Sequence, residues 1–270
     1  MLKLVRHYLL ALQFFTRIPI TGALAQWVGF SPQMLRASVA HFPGIGWLVG
    51  AISALAFLAI HQSLPVSNAT AFVAAALGTA ASVWLTGGFH EDGLADMVDG
   101  LGGSPDRARA LEIMKDSRVG SFGVLALVLV LLAKVTLLAL LGDIHVALAC
   151  AALFAGHAVS RTYPLFIIMA LPHVGDEGAS KAKPLADSVG LAQMLIGLAW
   201  CLGALLIASI VLQPLALLLG VALSALAYLY MRRWLKRRLQ GFTGDCLGAT
   251  QQFCELAFYL GLACGLNFTL

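Results

Sequence analysis

"GSFGVLALVLVLLAKVTLLALL", residues 120 to 141, runs from end to end with a single charge, Lys134. An α-helix rises about 1.5 Å per residue, so about 20 such residues cross the roughly 30 Å hydrocarbon core of a bilayer. Six further stretches share this character when the chain is cut at charges and turn residues: 43 to 62, 68 to 89, 145 to 170, 190 to 210, 213 to 231 and 251 to 270. Composition agrees, because only 11% of the 270 residues are charged and 60% are hydrophobic, against about 25% charged in a soluble domain. Mean hydropathy is +0.89. The expected fold is an all-α polytopic membrane protein, one integral domain over residues 1–270, with seven transmembrane helices as three hairpins plus a final helix.

Positive charge orients the bundle, since cytoplasmic loops retain Lys and Arg. Fifteen of the seventeen basic residues lie before the first stretch or after the second, fourth and sixth: Lys3, Arg6, Arg17, Arg36, Arg107, Arg109, Lys115, Arg118, Lys181, Lys183, Arg232, Arg233, Lys236, Arg237 and Arg238. Only Lys134 and Arg161 fall within spans. That side is expected to face the cytoplasm. The net charge of +4 is then a topology signal that also suits anionic headgroups, and it implies no nucleic-acid binding. Cys150, Cys201, Cys246, Cys254 and Cys264 show no paired metal-type spacing and read as small hydrophobes. Lys3 and Arg6 before "YLLALQFF" superficially resemble a signal peptide, but Arg17 and Pro19 interrupt the stretch. An amphipathic helix on the membrane surface, ending at "TRIP", is expected instead.

Four polar segments, 1–42, 90–119, 171–189 and 232–250, return to the cytoplasmic side and are where chemistry would assemble. The densest is "FHEDGLADMVDGLGG", residues 89–103, which gathers Glu91, Asp92, Asp96 and Asp99 into nine residues. Asp92, Asp96 and Asp99 are spaced i, i+4, i+7, which on a 3.6-residue period puts them within an arc of about 60°. Like charges on adjacent turns destabilise a helix by roughly 0.2–0.5 kcal/mol per pair. A hard divalent cation such as Mg²⁺ would offset that repulsion, completing its shell with water and phosphate oxygens. Isolated loop acids at a membrane edge are the plain alternative, and the spacing argues against it. "HE" at 90–91 is not a zinc-protease motif, because Leu94 stands four residues after His90.

"EIMKDSRVGSFG", residues 112–123, follows. Lys115 and Arg118 bracket Asp116 and Ser117, a set suited to gripping phosphate oxygens. Alone it would read as positive-inside charge; beside the three aspartates it reads as half of a metal-plus-cation diphosphate site. Arg161 in "SRTYP" is costly in lipid and is expected to face the bundle interior, where a break at Pro164 would let it meet the cavity. Lys134 suits an internal ion pair. Asp245 and Glu255 flank the start of the last span, and each could cap the helix or add to the acidic site. His41, His61, His145, His157 and His173 share no ligand spacing and read as structural or interfacial.

Together, "TGGFHEDGLADMVDG", "EIMKDSRVGSFG", "TRIP" upstream, "FPGIG" at 42–46 and "TGDCLGA" downstream resemble the adenosylcobinamide-GDP ribazoletransferases, the cobalamin (adenosylcobalamin 5′-phosphate) synthases, over about residues 11–256. The resemblance implies a Mg²⁺-dependent transfer of the adenosylcobinamide phosphate group from adenosylcobinamide-GDP to α-ribazole or its 5′-phosphate. GMP is released and adenosylcobalamin or its 5′-phosphate forms. Metal would sit on Asp92, Asp96 and Asp99. Lys115, Ser117, Arg118, Arg17, Arg161 and Asp245 would hold substrate, and Asp99 or Asp116 would accept the hydroxyl proton. Partners implied are the two substrates and the bilayer, with a homo-oligomer or other cobalamin-pathway enzymes left open. A CDP-alcohol phosphotransferase is a related alternative, but Asp96 stands where that family expects Arg, and its later Asp pair is missing. A transporter would place its binding groups near the midplane, whereas these acids lie at the border.

Overall fold

The computed structural model describes residues 2–175 and 189–268. The loop 171–189 therefore lies mostly outside the described residues, as do Lys181 and Lys183. Three short leading helices are α1 (Leu2–Phe15), α2 (Gly22–Val28) and α3 (Pro32–Ser38), and a 3₁₀ turn over Val39–His41 joins them to α4 (Phe42–Ser63). Then come α5 (Thr70–Thr86), α6 (Phe89–Gly103), α7 (Arg107–Ile113), α8 (Ser121–Ile144), α9 (Val146–Ala170), α10 (Leu191–Ala208), α11 (Pro214–Arg238) and α12 (Gly244–Leu266). No strand forms among the described residues.

A long helix stands at each of the seven expected stretches. By length and apolar composition, however, four segments are able to cross a membrane: Pro32–Ser63, Ser121–Ile144, Leu191–Ala208 and Pro214–Arg238, or five if α5 and α6 form one broken span. The difference lies in α9 and α12, whose apolar surfaces are interrupted by buried Arg161, His157, Gln251, Gln252 and Glu255. Such side chains survive in a bundle interior only with partners. α9 occupies that interior: Ala149, Ala152, Ala155 and Ala158 are wholly buried. It also runs unbroken through Pro164, so the expected break is absent.

Small residues let the helices approach. A Cβ on Gly50 of α4 would stand 2.8 Å from Phe154 Cα of α9. In α12, Gly261 and Gly265 lie against Leu219, Gly220 and Ala216 of α11, a small-xxx-small contact that replaces the missing hydrophobic drive between helices in lipid. Outward, α8, α10 and α11 present Leu125, Leu129, Leu202, Leu206, Leu218 and Leu226, as lipid-facing surfaces should.

Two features set α6. The chain turns 89° between α5 and α6, and Gly87 (φ +73°) and Gly88 (φ +71°) make that corner. Both dihedrals are left-handed, where a Cβ crowds the backbone. α6 therefore runs across the end of α5 rather than along its axis. Its far end is tied to α11 by crossed guanidinium caps: Arg107 Nε donates to Leu239 O at 2.6 Å, and Arg238 Nη2 donates to Leu101 O and Ser104 O at 3.1 and 2.6 Å. These satisfy helix C-terminal carbonyls that would otherwise lack donors.

Candidate active site

Helix α6 begins afresh at Phe89 rather than continuing α5, and its first turn carries Glu91 and Asp92, where carboxylates suit the helix dipole. One face points into the bundle with Glu91 and His90, 8% and 2% exposed. Asp92, the next residue and so about 100° round the helix, is exposed, and Asp96 is half-buried. The last helix meets this face. Gly93 packs on Asp245, where a Cβ would fall 2.9 Å from Asp245 Cα. Asp245 sits in the first turn of α12 behind the Thr243 cap and accepts from Thr243 Oγ1 at 3.2 Å. That helix starts at Gly244, seven residues before the expected span at 251, which is what brings Asp245 onto α12.

The electrostatics follow from this crowding. Burial, then Asp92, Asp245 and Asp99 in that order, push the Asp96 carboxyl up to about 7. Asp245 rises to about 6, through burial first and with Asp92 adding to it, against the lowering bond from Thr243. Asp92, Asp96 and Asp245 thus form a mutually repelling set of hard oxygen donors. As the side chains are placed, no three His, Cys, Asp or Glu among the described residues close on one ion. The donor chemistry nonetheless fits Mg²⁺, which is usually held by one or two carboxylates with water and phosphate oxygens filling the rest.

Asp99 is placed differently from its two companions. It is 7% exposed, and both oxygens accept backbone N–H groups at the start of α8: Oδ2 from Gly120 at 2.7 Å and Oδ1 from Gly123 at 2.8 Å. A Cβ on either glycine would collide with the carboxylate. Asp99 therefore caps α8 from a neighbouring helix. The segment 115–119 is held at both ends, by this bond and by Gly100 packing on Met114, so Lys115, Asp116, Ser117 and Arg118 are carried to the far end of the acidic helix.

Within that segment Asp116 accepts from Arg118 N at 3.0 Å and from Arg118 Nη2 at 2.6 Å. These bonds hold the Asp116 carboxyl down at about 2. Ser117 and Arg118 are exposed, as is Lys115. Arg17 is exposed at the α5–α6 corner; its backbone N–H donates to Leu85 O at 2.8 Å and its side chain lies over Gly87.

Arg161 is 2% exposed inside the bundle. Its Nη1 lies 2.8 Å from His157 Nδ1, and its Cζ is 5.7 Å from the Phe42 ring centroid. Lys134 makes the internal ion pair, Nζ to Glu255 Oε1 at 2.7 Å. The polar groups around them were not picked out from sequence as a set, yet a signal existed: Gln251, Glu255 and Tyr259 repeat at i, i+4, i+8, and His157 and Arg161 at i, i+4, inside apolar stretches.

An all-helical bundle with lipid-facing helices, carrying an acidic helix across its end with a cation-bearing loop beside it, defines a polytopic membrane protein with one polar working face. The chain belongs to the cobalamin-5-phosphate synthase family, whose profile it matches over residues 7–263. Among similar proteins is the adenosylcobinamide-GDP ribazoletransferase of Polaromonas naphthalenivorans (strain CJ2), 59% identical over 98% of this chain and 100% of the relative. That of Albidiferax ferrireducens is 58% identical over 98% and 100%, and that of Shewanella amazonensis 43% over 94% of each. No solved structure matches.

Proposed function

We propose that the protein joins adenosylcobinamide-GDP to α-ribazole or its 5′-phosphate, with Mg²⁺, at the cytoplasmic face of a bacterial inner membrane. A ribose hydroxyl of ribazole other than the 5′ position, which carries the phosphate in the phosphorylated acceptor and keeps it in the product, attacks the phosphorus attached to cobinamide. The bond from that phosphorus to the GMP oxygen breaks, GMP leaves with the electron pair, and the hydroxyl proton is lost. The products are GMP and adenosylcobalamin or its 5′-phosphate. The observation that carries this reading is the convergence of Asp92, Asp96 and Asp245 from helices α6 and α12, far apart in the chain, in a protein whose relatives bear that name.

Asp92 and Asp96 would hold the ion, with Asp245 the third carboxylate within their field. When bound, Mg²⁺ supplies the positive charge that a diphosphate and its departing phosphate need. Lys115 and Arg118 orient the remaining phosphate oxygens, and Ser117 adds a donor. Arg118 reaches a phosphate by leaving Asp116, an exchange of one anion for another. Asp99 has both oxygens on amides, whereas Asp116 is held low by Arg118, so the departure of Arg118 to phosphate leaves Asp116 the freer of the two to accept the proton. Support for the cytoplasmic side is the placement of positive charge outside the apolar spans.

GMP release by the purified protein in lipid, with and without Mg²⁺, tests the reading. Metal-dependent release from adenosylcobinamide-GDP and ribazole is expected, abolished by Asp92→Asn. Turnover of CDP-diacylglycerol instead, or solute flux without GMP release, would overturn it.

A further inference from the structure

The working face depends on how α6 is rotated against α12, and the contact between the two helices is smooth at the near end of α6. A Cβ on Gly248 would stand 3.2 Å from His90 Cα and 3.5 Å from Gly93 Cα, while Gly93 itself lies on Asp245. Leu94 and Met97 of α6 share one buried core with Cys246 and Ala249 of α12, and the far end of α6 is tied through Asp99 and Leu101. At the near end, however, the glycine surfaces allow close approach without interlocking, so there a directional contact adds most to the facing of the helix. One-residue differences in facing decide whether an acid points at solvent or into the bundle.

A directional bond crosses this contact. Gln252 Nε2 donates to Glu91 Oε1 at 2.9 Å and to Gln251 Oε1 at 3.0 Å. Gln251 Nε2 in turn donates to Glu255 Oε2 at 2.6 Å and to Ser160 Oγ at 2.9 Å. Glu255 is anchored on its other oxygen by Lys134 at 2.7 Å and by the Tyr259 hydroxyl at 2.8 Å. Gln251, Gln252 and Glu255 are at most 2% exposed. The chain thus runs from α8 and α9 through α12 to the residue immediately before Asp92.

We propose that Gln252, steadied by Gln251 and Glu255, is a positioning residue: its bond to Glu91 sets the rotation of α6 and so turns Asp92 and Asp96 toward Asp245. Drawing Glu91 inward leaves Asp92, one residue on, at the surface, as their burial shows. A purely stabilising role accounts for it less well. Buried polar and ionic groups are often matched or bettered in stability by apolar residues of the same volume, and their attested use is to specify one arrangement among several. This inference rests on the metal reading of the acidic face for its functional consequence, but not for the rotation itself.

The experiment uses the full chain in nanodiscs, comparing the unaltered protein with Gln252→Leu and with the exchanged pair Glu91→Gln/Gln252→Glu, which restores an amide–carboxylate bond in reverse. Hydrogen exchange over residues 89–103 reads how firmly α6 is held in its seat, and Mn²⁺ binding followed by the resonance of free ion reads whether its carboxylates still face one another. In Gln252→Leu, α6 is expected to exchange at least tenfold faster with α9 unchanged, and Mn²⁺ affinity to fall at least tenfold. The exchanged pair should recover both to within threefold. Exchange and affinity within twofold of the unaltered protein in Gln252→Leu would overturn the proposal. So would losses that the exchanged pair fails to recover, which mark a packing role. Should the unaltered protein bind no Mn²⁺, the metal reading fails, and the exchange of α6 still decides the positioning.

Discussion

Replacing Asp99 separates its two conceivable duties, ligand and helix cap. Its carboxylate accepts two backbone N–H groups at 2.7 and 2.8 Å from a nearly buried position. Hydrogen bonds to a charged group contribute about 1.5–3 kcal/mol each, and a lost cap costs about 1 kcal/mol or more. The two bonds share one carboxylate and are not additive. Asp99→Ala is therefore expected to destabilise the protein by about 3 kcal/mol, leaving two amides at the start of α8 without acceptors. Asp99→Asn keeps one amide-type acceptor and loses the charge, for a cost of about 1–2 kcal/mol. Reversible unfolding in mixed micelles, read by tryptophan fluorescence, measures both. The segment carrying Lys115 and Arg118 would also loosen, so GMP release should fall with a raised KM while Mn²⁺ affinity changes little. A loss of under 0.5 kcal/mol for Asp99→Ala, or Mn²⁺ binding lost as fully as in Asp92→Asn, would refute the capping argument.

Asp92→Asn, Asp96→Asn and Asp245→Asn should each cut GMP release at least a hundredfold without lowering the unfolding midpoint, since each removes a repelling charge; a fall in midpoint matching the activity loss would count against the site. The Asp96 carboxyl, raised to about 7, holds its proton in the folded state when the unfolded chain has released its own. Metal-free stability should then decline as pH rises from about 4 to 7, and Asp96→Asn should flatten that slope in a pH series of unfolding midpoints. Gly88→Ala, at φ +71° with open space around its Cβ, should cost about 1 kcal/mol. Gly87→Ala, at φ +73°, should cost about as much, because the atom its Cβ meets, Nε of exposed Arg17, lies on a flexible side chain that can move aside; unchanged midpoints for both variants would contradict the corner geometry.

The apolar runs were enough to place all seven long helices, because an uninterrupted 20-residue stretch has few other fates. Boundaries suffered where polar residues continue a helix beyond its oily part, as at Gly244 to Thr250. The i, i+4, i+7 spacing put Asp92, Asp96 and Asp99 on one side of α6, but spacing alone does not say what each carboxylate meets. Asp99 meets the start of α8, a contact between residues more than twenty apart, and Asp245 arrives from α12 through glycine contacts that leave no pattern in a single chain. The buried chain from Lys134 to Glu91 was legible only as isolated polar letters, since periodicity marks a face and not its partner.

The corner at Gly87 and Gly88 also fixes phase. Because the helix after it advances about 100° per residue, deleting one residue there would spin every later side chain by that angle and carry the carboxylates off the rim they share. Lengthening the oily helix before the corner by a full turn would leave their facing intact and change only their depth. The site is thus keyed to the count of residues after the bend, not to the length of the segment before it.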